Sequence, residues 1–368
     1  MRCLAALAAI FMMVGAGPAL ADGVGVRTFE ITDKTRGDSL DAARPRQWMV
    51  DVYYPAVTNG EPAAYLDDPD LLGRLVSEQY YGQTAATLQG WARRKGAAVR
   101  SAPQSAGRPP LIVILPGMDV VRANYQLLAA AFVERGFAVA VIDLPYLGEQ
   151  RLTDGRMVSV NDDPLAQSDD PLAYAPRIKD FVRDVSVTLD ALPEHLSYDA
   201  AAIAVTGHSS GGAVAVDVCG ADKRVSACVD WEGGIEPTRL TKDGTGTPTL
   251  IGVSRAGGKT EPPHDTAHPD LLSQNLADMA RGGCTSCWVV KVTGGSHMSY
   301  SDAPEVMPDT LSRFGGVLIA PDRSFALYSG ITAAFARAYA PGGGGDAAFA
   351  AEIRNDPEVT RSETTAKP

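Results

Sequence analysis

Gly207-His208-Ser209-Ser210-Gly211-Gly212 carries the clearest chemical signature in this 368-residue chain. A serine hydroxyl becomes a nucleophile when a nearby base removes its proton, and that base works best when a third group orients it. The Gly-x-Ser-x-Gly register selects Ser209 over Ser210. His208 is adjacent and is expected to be a packed neighbour. The chain has five histidines. His195 precedes the serine, and His264 and His268 lie among prolines, where they are unsuited to share a helix face as metal ligands. His297, in Gly294-Gly295-Ser296-His297-Met298, is the expected base. The carboxylates at hand are Asp230 and Glu232, two apart in Val229-Asp230-Trp231-Glu232. Two backbone N–H groups must also face the oxyanion that forms during acyl transfer. Ser210 supplies one. Met118 in Pro116-Gly117-Met118 is the expected second.

These residues need elements to hold them. Leu111–Leu115 is a continuous apolar run, the pattern of a strand buried on both faces of a parallel sheet, and Phe137–Leu144 and Ala201–Thr206 read as the next two buried strands. Val225–Trp231, Thr249–Val253 and Trp288–Val292 continue the series. Val26–Thr32 and Trp48–Tyr54 are two earlier strands. Helical spacing is clear in Tyr125/Leu128/Phe132, in Ile178/Phe181/Val182/Val185/Leu189/Leu192 and in Phe325/Tyr328/Ile331/Phe335/Tyr339. Gly211–Cys219 and Leu271–Met279 also read as helices. Alternating strands and helices predict an α/β chain with a mostly parallel sheet and helices on both faces. Ligands in such sheets sit at the carboxyl ends of the strands. Ser209 satisfies this, following one strand and preceding a helix, and His297 follows the last strand of the series. Asp230 is the expected acid, being shorter and closer to the strand end than Glu232. The segment after Thr249–Val253 offers no carboxylate before Glu261.

Composition narrows the class. The formal net charge is -11, with no basic block, which excludes the electrostatic footprint of a nucleic-acid binder. Arg2, the apolar run Leu4–Val14 and Ala19-Leu20-Ala21 read as a signal peptide over 1–21, its apolar part too short for a comfortable membrane span. An exported chain, periplasmic or secreted, is the expectation, with no stable span after cleavage. Cys3 would leave with the signal. Cys219, Cys228, Cys284 and Cys287 remain, and their closeness in sequence suggests the pairs Cys219–Cys228 and Cys284–Cys287. Cys-x-x-Cys lacks the further ligands of a zinc site. No metal and no cofactor is expected. The domain is expected over 22–341. Segments 57–107 and 145–171 should form a partly helical cover, and 342–368 should be a disordered tail.

The chain resembles the platelet-activating-factor acetylhydrolase and predicted dienelactone-hydrolase branch of the α/β hydrolases. The likeness runs through Val50–Ala56, Leu115-Pro116-Gly117, Arg135–Val139, Arg183-Asp184-Val185, Gly207–Gly212, Val229-Asp230-Trp231 and Gly295-Ser296-His297. It covers most of 24–340. Where that family usually has a histidine before the oxyanion glycine, this chain has Pro116. The resemblance implies the α/β-hydrolase fold and hydrolysis of carboxylic esters with short or modified acyl groups, the partner being a small-molecule or lipid ester. It implies a Ser209–His297–Asp230 triad, the acid lying soon after the strand that follows the nucleophile. Two alternatives stand beside it: an amide or lactone hydrolase with the same triad, and an inactive binding protein on the same fold.

Overall fold

The computed structural model describes residues 23–168, 175–233, 246–255, 286–309, 319–354 and 356–364. Ten strands form one sheet among these residues. In chain order its strands are β1 (Gly23–Gly37), β2 (Pro45–Ala56), β3 (Val99–Arg100), β4 (Pro110–Leu115), β5 (Ala138–Ile142), β8 (Asp199–His208), β9 (Val225–Trp231), β10 (Thr249–Arg255), β11 (Cys287–Thr293) and β12 (Val359–Thr364). The short pair β6 (Gln150–Arg151) and β7 (Met157–Val158) stands apart. Across the sheet the order is β12-β11-β10-β9-β8-β4-β5-β2-β1-β3. The run from β5 to β11 is parallel throughout, while β2 joins β5, and β12 joins β11, antiparallel.

Side chains alternate across a strand, so a sheet buried on both faces sends successive apolar residues into two different cores. Ile112 and Ile114 of β4 pack with Leu128 and Phe132 of α3 (Gln126–Glu134). Leu111, Val113 and Leu115 pack on the other face. There they meet Phe181, Val185 and Leu189 of α4 (Ala175–Ala191) and Val214 and Val218 of α5 (Ser210–Ala221). This explains why Leu111–Leu115 of β4 reads as an unbroken apolar run. A buried ion pair clamps the antiparallel edge to α4. The Arg46 guanidinium donates to both oxygens of Asp184 at 2.6–3.0 Å, and Arg36 adds a bond of 2.6 Å.

Segment 57–107 supplies α1 (Pro69–Ser77), α2 (Ala85–Trp91) and β3. Tyr81, between the two helices, donates to the Met118 carbonyl at 3.3 Å, which seats this segment against the loop after β4. Between β11 and β12 come α6 (Ala303–Val306), α7 (Pro321–Tyr339) and α8 (Gly345–Glu352).

One expectation meets a different outcome here. The segment after residue 341 is not without structure: α8 buries Phe349 against Trp288 and Phe335, and β12 pairs with β11 over six residues. Its Thr/Glu/Ser composition suits an exposed edge strand, which carries little apolar periodicity to detect. The expected helix Leu271–Met279 lies outside the described residues. So do residues 1–22 and Cys284, while Cys219 and Cys228 form a disulfide and Cys287 is disulfide-bonded. Among the described residues no helix is long and apolar enough to cross a membrane.

Candidate active site

Ser209 sits between β8 and α5 with φ 53° and ψ -129°, a backbone conformation that side-chain-bearing residues rarely adopt. Its N–H is held by the Trp231 carbonyl at 2.8 Å, so the turn hangs from the end of β9. The glycines around it are required by close approach. A Cβ at Gly207 would strike the Gly211 carbonyl, and one at Gly211 would strike the carbonyls of Leu115 and Pro116. A Cβ at Gly212 would strike the Asp230 carboxylate. Strand, sharp turn and helix can therefore pack together only with glycine at these positions. Ser209 caps the N-terminus of α5, whose first N–H groups and dipole favour negative charge at this point.

The loop after β4 runs beside the serine. A Cβ at Gly117 would stand 3.2 Å from Ser209 Cβ. The Gly117 N–H donates to Tyr125 Oη at 3.0 Å, Asp119 N–H to Leu147 O at 2.7 Å and Val120 N–H to Gly117 O at 3.1 Å. Met118 N–H lies between these committed groups. Ser210, the first residue of α5, has no carbonyl one turn back to accept its N–H.

His297 opens a short helical turn, His297–Ser299, just past β11. Its ring lies 4.8 Å, centroid to centroid, from that of His208. His297 Nδ1 stands 3.9 Å from Glu232 Oε2, while Glu232 Oε1 accepts the Ser254 N–H. The carboxylate is thus anchored on β10 and presented to the imidazole at ion-pair range. Such contacts are often long before substrate binds.

Asp230 does not occupy that position, which departs from the sequence reading. It is fully buried within β9, paired in register with Gly207 and Ile251. Its Oδ1 accepts the Gly233 N–H at 2.8 Å, and its Oδ2 has no hydrogen-bond partner among the described residues. Burial pushes this carboxyl up to about 8 against the Gly233 bond, and the nearby Glu232 charge adds to the rise. The reason for the difference is backbone geometry. Residues two apart share a face only while the strand continues, but β9 ends at Trp231 and Glu232 turns out with φ 63°. The rule that functional groups lie past the strand end would have singled out Glu232.

His208 is more than a packed neighbour. It is completely buried, its Nε2 bonds the His297 carbonyl at 2.7 Å and its Nδ1 bonds Tyr125 Oη at 2.9 Å. Burial, with the nearby His297, holds its pKa well below the ordinary histidine range. Asp119, next to Met118, is pushed up to about 6 by burial and by Glu78. A cavity of about 330 Å³ beneath the 57–107 segment is lined by Tyr53, Arg122, Glu149 and neighbours, but not by Ser209 or His297. No group of three or more His, Cys, Asp or Glu side chains able to hold a metal occurs among the described residues.

Fold and site define an α/β hydrolase: a nucleophile-type elbow at the carboxyl edge of a mostly parallel sheet, with a histidine past the last parallel strand. Residues 108–231 match the family described as "Serine aminopeptidase, S33", a stretch running from β4 to the end of β9. The chain is also similar to the solved structure of a ferulic acid esterase from Streptomyces cinnamoneus. That likeness has a TM-score of 0.73 at 26% identity, covering 94% of this chain and 98% of the other. No curated protein matches. Together these likenesses support a hydrolase of the serine esterase type and leave the branch within the α/β hydrolases open.

Proposed function

We propose that this chain is an exported serine esterase that cleaves carboxylic esters through Ser209, His297 and Glu232. The observation that carries the proposal is the strained turn at Ser209, set between a buried strand and a helix N-terminus, with His297 facing Glu232 at 3.9 Å. Ser209 Oγ attacks the ester carbonyl as His297 takes its proton. Glu232 holds the imidazole in the tautomer that can accept that proton and stabilises the imidazolium. The N–H groups of Ser210 and Met118 receive the oxyanion. The tetrahedral intermediate expels the alcohol, which leaves with the proton from His297. A water, deprotonated by His297, then attacks the acyl-enzyme, and its collapse releases the acid and restores Ser209.

Export is supported by the n-, h- and cleavage-region pattern of residues 1–21 and by the disulfide-bonded cysteines. Two substrate classes follow from the likenesses: esters of ferulic-acid type, and short or modified acyl esters that include phospholipid-like ones. A second reading, amide hydrolysis, draws on the serine aminopeptidase family match over 108–231.

The test is turnover of p-nitrophenyl acetate, an acyl-length series, a ferulate ester and matched amides. Ser209→Ala is expected to lower kcat at least about 10⁴-fold and to abolish labelling by a fluorophosphonate. Retained turnover would overturn the proposal, and amides cleaved faster than esters would favour the second reading.

A further inference from the structure

Resting on the triad reading above, we propose that His208 and Tyr125 form a positioning couple that sets the oxyanion loop and the base loop relative to one another across the nucleophile turn. Neither touches substrate in this scheme. They act through Gly117 and His297.

The hydrogen-bond partners of His208 and Tyr125 fix where the protons sit. The His297 carbonyl can only accept, so His208 Nε2 carries a hydrogen and donates to it at 2.7 Å. A neutral imidazole then has a bare Nδ1, which must accept. Its partner is Tyr125 Oη at 2.9 Å, so the tyrosine donates its one hydrogen there. That leaves the Tyr125 oxygen free to accept the Gly117 N–H at 3.0 Å. The result is one directed chain: Gly117 N–H to Tyr125 O–H to His208, and His208 N–H to His297 O. Both side chains are 0% exposed, and the two bonds of Tyr125 are buried, while the bond to the His297 carbonyl is part-buried. Burial and the adjacent His297 keep His208 neutral, which preserves the bare Nδ1.

The chain ties together three segments that are far apart in sequence. Gly117 belongs to the loop that carries Met118, His208 precedes the nucleophile and His297 is the base. Gly117 also packs on the imidazole itself, its absent Cβ falling 3.0 Å from His208 Nδ1. A shift of either loop must break a bond to a fully buried side chain, where a lost partner is costly.

Two measurements test this. In protein labelled with ¹⁵N-histidine, long-range imidazole correlations on the wild type should show His208 as the Nε2–H tautomer, unchanged between about pH 5 and 9. An Nδ1–H tautomer, or a protonated ring in that interval, overturns the proposal without reference to activity. Kinetically, Tyr125→Phe and His208→Met should each lower kcat by up to about 100-fold while KM stays within about threefold. Because the two act as one unit, the double variant should lose little more than either single variant. His208→Gln, whose amide can still donate to the His297 carbonyl, should recover most of the kcat lost by His208→Met. Folded single variants with kcat within about threefold of wild type, or a His208→Gln loss as large as that of His208→Met, overturn it. Failure of the triad reading is seen separately, as undiminished turnover by Ser209→Ala.

Discussion

Two carboxylates two residues apart have opposite surroundings here. Glu232 stands past the end of β9, held by the Ser254 N–H and facing His297, while Asp230 is sealed inside the strand. Glu232→Gln should therefore lower kcat by roughly 10²- to 10⁴-fold, whereas Asp230→Asn should keep kcat within about threefold. Steady-state ester hydrolysis by the two variants decides between them, and the reverse pattern would restore Asp230 as the acid. Asp230 also has a stability signature. Its carboxyl is raised from 3.8 to about 8, so between those pH values the folded chain binds more protons than the unfolded one. Stability then falls as pH rises through that window. The penalty is absent below about pH 4 and complete above about pH 8. Asp230→Asn has no charge to bury. Its Tm should match wild type near pH 4 and exceed it by about 2–5 °C near pH 8, as read by thermal unfolding at both values.

At the scale of elements, the nucleophile turn is shaped by how closely β4, β8 and α5 approach one another. Gly211 lies against the carbonyls of Leu115 and Pro116, the last residue of β4 and the first of the oxyanion loop. Gly211→Ala should push α5 away from that loop. The expected result is a loss of about 1–3 kcal/mol in stability together with a fall in kcat, since the obstacle is backbone that has little room to yield. Chemical denaturation and ester turnover on the same preparation check both parts. An unchanged kcat would show that the loop tolerates the shift.

Across the whole molecule, the described residues after 341 are part of the fold. Phe349 of α8 is fully buried between Trp288 of β11 and Phe335 of α7, at ring separations of 5.0 Å. Phe349→Ala should cost about 3–5 kcal/mol, because it empties a packed aromatic site. A denaturation midpoint close to wild type would show instead that this segment docks without supporting the core. The Cys219–Cys228 bridge joins the C-terminal end of α5, the helix that starts after Ser209, to β9, the strand that carries Asp230 and stops before Glu232. Closing a loop over a separation of 9 residues should contribute about 2–3 kcal/mol. The Cys219→Ala/Cys228→Ala pair, compared with wild type under non-reducing conditions, measures it.

Local pattern alone determined much of this protein. Continuous apolar runs marked β4 and β5 because a strand buried on both faces favours an apolar residue at nearly every position, and β8 and β9 follow that pattern with Thr206, Ser226 and Asp230 interrupting it. Glycines at fixed offsets marked Ser209 because the turn leaves no room for a Cβ. His297 could be singled out because ligands gather past the strand ends. Other features depended on tertiary structure. Asp230 and Glu232 differ in surroundings through where β9 stops and how Glu232 turns, and no spacing rule encodes that. The bonds of His208 join Tyr125, 83 residues before it, to His297, 89 residues after it, so neither partner could be read from its neighbours in the chain. β12 lacks a periodic apolar face because an edge strand is held by backbone hydrogen bonds to its neighbour, which nearly any residue can make.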